Sequence, residues 1–268
     1  MHAIPRLTHD LRQLGVVAGS VVMVHASLRK VGRVEGGADG VVRALDDAVG
    51  PEGTLLMVLG ANDDWSWVND RPEADRAALL ADAEPFDAAV TPADEEVGML
   101  AEVFRRSAGT VVSDHPEGRF AARGRLARAL VNEVPWHDYF GPGSPLERLV
   151  HAQGHVLRLG ADTNTVTLLH YAEYLAAVPH KRRVRRHRRV RTPDGPAIRV
   201  VECLDDNEGI VAWEGEDYFS LILADFLAVH AAARGFVGNA ASELLPAGPL
   251  VDFATDWMTT RFAQRARL

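Results

Sequence analysis

Apolar residues along this chain alternate between two periods. Val21-Val22-Met23-Val24 and Leu55-Leu56-Met57-Val58-Leu59 are continuous apolar runs of the kind that form strands buried on both faces. Between them, Val41, Val42, Leu45 and Val49 recur at helical spacing from Gly36 to Gly50. A β-α-β alternation of this kind predicts parallel strands with helices on their faces. Upstream, Thr8 reads as the N-cap of a short helix ending near Gly15.

Residues 61–95 break the pattern. They are polar, acidic and proline-containing, and a stretch this long is functional or disordered. Helical spacing resumes from Glu96 to Arg106, and Thr110 to Ser113 reads as a short strand. Leu126–Val131 predicts a helix. Ser144-Pro145 opens another, with serine as N-cap and proline in the first turn, ending near Gly154. His155–Leu159 predicts a third buried strand, and Thr165–Ala177 a helix. Pro193-Asp194-Gly195 is a hairpin turn joining the preceding basic segment to Ile198–Cys203. Helices at Tyr218–Ala233 and Pro249–Arg265 close the chain. The fold class expected is α/β: a mixed sheet with parallel core strands flanked by helices, plus an antiparallel hairpin. With no repeat or low-complexity linker, residues 1–268 read as a single domain.

Composition narrows the setting. The 268 residues are 47% hydrophobic and 25% charged, enough to bury a sizeable core. No run approaches the roughly 20 apolar residues of a membrane span, and the N-terminal residues lack a signal-peptide core. Cys203 is the only cysteine, which excludes an internal disulfide and any zinc site needing two thiolates. A reducing, cytoplasmic location is the expectation.

The net charge of -8 conceals an asymmetry. Eight basic residues and no acid lie between Lys181 and Arg191, so the remainder carries 21 basic residues against 37 acids, a balance of -16. Such a body attracts cationic ligands and repels nucleic acid. The basic run, with Val184 and Val190 inside it, reads as a strand with a solvated basic face. It could meet a nucleic acid or the 3'-phosphate of coenzyme A, but it has no interleaved aromatics.

Four other segments carry candidate chemistry. His25-Ala26-Ser27-Leu28-Arg29-Lys30-Val31-Gly32 follows the first strand, where ligands of open α/β sheets bind. Taken alone, most turns of this composition bind nothing, and Gly36-Gly37 nearby is no complete phosphate-binding fingerprint. Ser113-Asp114-His115-Pro116, leading to Phe120, holds a histidine that proline forces out of the helical region. A loop histidine in water is the bland alternative. His170 and Glu173 lie three apart on a helix and share a face. A carboxylate on one imidazole nitrogen leaves the other free as a base; a surface ion pair would look the same. No second histidine stands at metal-ligand spacing there. Glu202-Cys203-Leu204-Asp205-Asp206, with Asp63-Asp64-Trp65, Glu95-Glu96 and Glu102, supplies carboxylates that could hold a hydroxylated polyamine, or could simply be solvated. Cys203 reads as packing rather than a nucleophile.

In combination and order, these segments resemble the aminoglycoside 3-N-acetyltransferase (antibiotic N-acetyltransferase) family. The matching blocks are His25 to Leu28 with Val31-Gly32, Ser113 to Gly124, Ser144-Pro145 with Leu159-Gly160, and Asn164-Thr165 through His170-Tyr171-Ala172-Glu173. Pro179 to Val184, Asp217-Tyr218-Phe219 and Gly235 to Ala241 extend the likeness over nearly the whole chain. The resemblance implies a fold particular to that family of acetyltransferases, acetyl-coenzyme A as donor and an aminoglycoside as acceptor, with no metal. It assigns the donor to His25, Ala26, Ser27, Leu28, Lys30, Val31, Gly32, Ser113, His115, Phe120 and Thr165, and the general base to His170. Ala26 departs from the serine that relatives often carry.

Glu173 is expected to orient His170, with Glu202 as a second candidate for that role or for the substrate ammonium. Asp63, Asp64, Trp65, Glu102, Glu202 and Asp205 are the acceptor-side candidates. The protein is expected to be a monomer or homodimer without nucleic-acid or membrane partners. An amine metabolite as acceptor, or a nucleic-acid-binding module built on Arg182–Arg191, are the competing readings.

Overall fold

The computed structural model describes residues 1–265. Helix α1 (Ile4–Gln13) precedes strand β1 (Val21–Ala26), a single turn α2 (Leu28–Val31), α3 (Gly37–Val49) and β2 (Thr54–Val58). Residues 60–98 form an excursion containing α4 (Glu73–Leu79) and three short 3-10 turns. Then come α5 (Met99–Arg106), β3 (Val111–Val112), β4 (Phe120–Gly124), α6 (Ala127–Val131) and α7 (Pro145–His151). Strand β5 (His155–Leu159), α8 (Leu169–Leu175), β6 (Arg183–Thr192) and β7 (Gly195–Leu204) follow. The described chain ends with α9 (Tyr218–Val229), β8 (Ala233–Val237), β9 (Ala240–Pro246) and α10 (Ala247–Arg265).

Seven strands form one sheet in the order β3-β4-β2-β1-β5-β9-β8. Its centre is parallel: β1 runs beside β2 and β5 in the same direction. Antiparallel strands flank that centre on both sides. Because side chains alternate across a strand, the apolar runs serve two cores. Val22, Val24, Leu55 and Leu157 face α1, α3 and α5. Met23, Leu56, Phe120 and Val156 face the helices from α6 to α10. The β6–β7 hairpin forms a separate two-stranded sheet, turning at Pro193-Asp194 as expected.

Several expectations shift. Thr8 is not an N-cap; α1 begins five residues sooner, with Ala3 at the cap position, and the buried Thr8 hydroxyl donates to the Ile4 carbonyl at 3.1 Å. Pro5 in the first turn is the stronger start signal. Strands β4, β8 and β9 were not legible, because β4 is only five residues of Phe-Ala-Ala-Arg-Gly and β8–β9 carry mixed polar positions. The excursion is ordered as a cover over the hairpin. Its Val68, Leu80 and Ala83 form a small third core with Ile198, and Phe86 bridges to Val190.

Gly124 ends β4 with φ +117°, and a Cβ there would lie 2.1 Å from the Gly53 carbonyl oxygen. Both backbone strain and a backbone clash oppose any side chain. Gly124→Ala is expected to destabilise the protein by at least about 1–3 kcal/mol. Denaturant titration measures this, and an unchanged midpoint would refute the clash.

Candidate active site

The carboxyl ends of β1, β2 and β5 open into a cavity of about 280 Å³. His25 and Ala26 line it, with Val58, Asp162, Thr165 and Thr167 among its other walls. His25 is buried, and burial with the nearby Arg158 charge brings its pKa down to about 4, so the ring is neutral at ordinary pH. Thr167 leads directly to the second element of the site, since its carbonyl accepts the His170 backbone N–H at the start of α8.

One turn of α8 aligns His170 with Glu173. The imidazole Nδ1 meets Glu173 Oε2 at 2.7 Å. The carboxylate can only accept, so Nδ1 carries the proton. Nε2 is left without a hydrogen-bond partner among the described residues. Glu173 is 1% exposed and His170 18% exposed. The ring lies flat against Phe140, with centroids 5.1 Å apart, and edge-on to Phe219 at 4.8 Å. Burial pushes the imidazole pKa down, but the charge of Glu173 and the hydrogen bond to it outweigh burial, with help from Asp206, and the net shift is upward.

Asp206 belongs to a buried ladder of alternating charge. Asp63 Oδ2 meets Arg188 Nε at 3.2 Å, Arg188 Nη1 meets Glu117 Oε1 at 2.8 Å, and Glu117 Oε2 meets Arg186 Nη1 at 3.7 Å. Arg186 then binds Asp206, whose other oxygen accepts the Tyr139 hydroxyl at 2.6 Å. Burial pushes the Asp206 carboxyl up, yet Arg186, His170 and Tyr139 together hold it below the usual range. Cys203 lies against Tyr139 and Arg186, and burial pushes its thiol up to about 12, far from a thiolate nucleophile.

The basic run is therefore not a solvated face. Arg186 and Arg188 point inward. Arg182, Arg183, Arg185 and Arg191 pair with Asp205, Glu202 and Asp138, Glu73, and Asp87 respectively. Lys181 donates to the Tyr174 carbonyl, and Arg189 to the carbonyls of Ala81 and Ala83.

Other expected residues are placed variously. Ser27 caps α2 with its carbonyl, and Leu28 is half-buried beside it. Lys30 is exposed and pairs with Asp162 at 2.7 Å. Val31 is buried in the core, and Gly32 stands where a Cβ would meet the Asn239 side chain at 2.7 Å. His115 is not in water: it is 1% exposed, its Nδ1 accepts the Glu117 and Gly118 N–H groups, and Nε2 donates to the Trp136 carbonyl. Burial lowers its pKa to about 4. Ser113 and Phe120 are buried alongside, with Phe120 edge-on to Phe140.

On the acceptor side, Glu202 occupies the opposite hairpin face from Cys203, 45% exposed and held by Arg183. Asp205 folds its own turn by accepting the N–H groups of Asn207 and Glu208. Glu102 is clamped by Arg105 and the Ala93 N–H. Trp65 packs on the third core, and Asp64 is exposed. The structure thus brings Asp63 and Asp206 into the charged ladder, and not Glu202, Asp205 or Glu102. Asp206 reads in sequence only as one of a run of carboxylates and Tyr218 only as part of a matching block, while Glu117 and Tyr139 are not singled out there. Only the inward-outward alternation of β6 could have hinted that Arg186 and Arg188 require buried acids.

Among the described residues, no group of three or more histidine, cysteine or carboxylate side chains could hold a metal ion, and no helix is long and apolar enough to cross a membrane. The chain is similar to aminoglycoside N(3)-acetyltransferase VII of Streptomyces paromomycinus, 38% identical over 97% of this chain and 92% of the relative. It superposes on the solved structure of AAC-IIIb in a binary complex with CoASH with TM-score 0.91, at 37% identity and 97% coverage of both chains. It superposes on sisomicin-bound AAC-VIa with TM-score 0.90, at 33% identity, covering 97% of this chain and 98% of the other. The family model for aminoglycoside 3-N-acetyltransferases matches residues 23–259, and with site and fold in agreement the chain belongs to that family.

Proposed function

We propose that this enzyme moves the acetyl group of acetyl-coenzyme A to the 3-amino group of an aminoglycoside, by direct transfer with both substrates bound. The observation that carries the reading is His170: a single imidazole fixed by a buried carboxylate, with Nε2 free among the described residues, three residues after Thr167, which lines a cavity at the carboxyl ends of the parallel strands. His25, Ala26 and Thr165 line that cavity and are the residues to meet the donor's pantetheine arm. Ser27, Leu28 and Lys30 continue from it along α2.

The acceptor amine must be unprotonated to attack. His170 Nε2 takes its proton as the nitrogen bonds to the acetyl carbon. The carbon–sulfur bond then breaks and the thiolate leaves. Glu173 fixes the tautomer that makes Nε2 the base and stabilises the imidazolium that forms. Holding both substrates together removes much of the entropic barrier. On the acceptor side, Asp206 joins Glu202 as a candidate carboxylate: its charge acts on His170, although Arg186 and Tyr139 occupy its two oxygens, while Glu202 is more exposed and is paired with Arg183. Asp63 joins Asp206 at the far end of the ladder. The acidic balance of the chain outside the basic run favours a polycationic acceptor. The pairing of that run with acids weighs against a nucleic-acid reading.

A thiol-release assay with acetyl-coenzyme A across a panel of aminoglycosides, with mass spectrometry of the product, tests the reading directly. Acetylation at the 3-amino group is expected. Turnover of an unrelated amine, with every aminoglycoside inert, would move the protein to another acceptor.

Two variants test the roles. His170→Ala is expected to lower turnover by roughly 10²–10⁴-fold in a folded protein. Because only the free imidazole accepts a proton and its pKa is raised, wild-type kcat should rise with pH through a limb above the ordinary histidine value of about 6.5. A limb at or below that value would contradict the Glu173 coupling. Asp206→Asn is expected to cost about 1.5–3 kcal/mol in acceptor kcat/KM, with donor KM within about twofold. Steady-state kinetics beside Glu202→Gln ranks the two carboxylates; a larger acceptor loss in Glu202→Gln would return the drug site to the outer hairpin face.

A further inference from the structure

The second oxygen of Glu173 has a partner that the transfer step leaves unused. Oε1 accepts a hydrogen bond from the Tyr218 hydroxyl, in the first turn of α9. That phenol has little freedom. Its ring is packed edge-on to Phe219 and Phe262, with centroids 5.2 and 5.4 Å away. Gly209, at φ +77°, passes so close that a Cβ would lie 2.8 Å from the hydroxyl oxygen. The Ile210 N–H points to the same oxygen at 3.4 Å. A phenol has one proton to give, and with its oxygen already accepting from Ile210, that proton goes to Glu173. Burial first, and then the Glu173 charge, push the ionisation of this phenol far upward, so it stays a donor.

We propose that Tyr218 is a positioning residue for the general base: by donating to Glu173 Oε1, it fixes Oε2 on His170 and sets the pH at which His170 becomes free. This rests on His170 being the base. A carboxylate shared between two donors pulls less on either one. Without the phenol, the negative charge concentrates on Oε2 and holds the imidazolium more tightly. The other charged groups facing the pair are Asp206 from the turn after β7, Arg186 from β6 and Lys181 before β6, with Asp217 beside the phenol. None of them bonds to Oε1, so none can take the place of the hydroxyl.

Tyr218→Phe removes one oxygen and keeps the ring packing. The His170 titration is read by nitrogen-correlated NMR on the substrate-free protein, assigned by its loss in His170→Ala. The expected result is an upward shift on the order of one pH unit. The acid limb of kcat should move in the same sense, with activity about tenfold lower below the limb and recovering at alkaline pH. Site-specific 3-fluorotyrosine at position 218, a stronger donor, should shift the titration downward; it keeps the proposal testable if Tyr218→Phe fails to fold. A folded Tyr218→Phe protein with an unmoved or lowered His170 titration overturns the proposal. So does a lower plateau with an unchanged limb, which marks a purely structural role. The NMR measurement needs no substrate, so it stands apart from the acetyl-transfer reading: a shifted titration with no aminoglycoside turnover would sink that reading and leave this one.

Discussion

Glu173 places an ionisable carboxyl at 1% exposure within α8, and a charge buried so deeply is tolerated only where donors meet it. Two do, one on each oxygen. His170 comes from the same helix, where three-residue spacing puts both side chains on one face. Tyr218 comes from a different helix, and its arrival depends on where α9 starts. Asp217 caps that start by accepting the Ser220 N–H at 3.0 Å, and Thr163 bonds to Ser220 at 2.8 Å, tying α9 to the loop that follows β5. The dyad therefore depends on tertiary placement of α9 as well as on its own helix. Phe140 and Phe219 close two sides of the imidazole, which keeps the ring plane fixed and water away from the Glu173 bond.

The hairpin follows the same rule for positive charge. Strand alternation sends Arg183 and Arg185 to one face and Arg186 and Arg188 to the other. On the outer face the arginines meet acids at the surface, where each pair contributes little. On the inner face two guanidinium groups are buried, and three carboxylates and a phenol surround them. Removing any one acid would leave a buried cation short of a partner, a far larger loss than breaking a surface pair. The run that looks like one basic patch in sequence is thus two chemically different rows.

Much of the frame was legible, and the reason is local. The apolar runs of β1, β2 and β5, the Ser144-Pro145 cap and the Pro193-Asp194-Gly195 turn each carry their signal within a few residues, and each forms as read. His170 and Glu173 were legible because their relation is one helical turn. The rest depends on contacts distant in sequence. Asp206 sits next to Asp205, yet one faces the ladder and the other folds a turn, and adjacent identical residues give no hint which is which. Glu117 reaches Arg188 across 71 positions, and Tyr218 reaches Glu173 across 45. A His-Pro step favours loops, which left solvation open as one reading of His115, but this loop is tucked inward and its imidazole organises it.

The excursion shows how an acidic, proline-containing stretch can be ordered without a large core. Arg119 is fully buried, and its guanidinium donates to the carbonyl of Gly60 at one end of the excursion and to those of Thr91 and Pro92 at the other. Burial lowers its pKa to about 10, which leaves it charged at neutral pH. The two ends are held together by one cation, and Phe86 joins the edge of β6 through backbone bonds at 2.8 and 3.0 Å. That closure brings Asp63 to Arg188. Were the excursion to move away, Arg188, 6% exposed, would keep only Glu117, and Glu117 would have to balance two arginines with less help. The charge beside His170 is therefore set partly by a segment that never touches it, and the cover over the hairpin and the electrostatics around the imidazole are one construction.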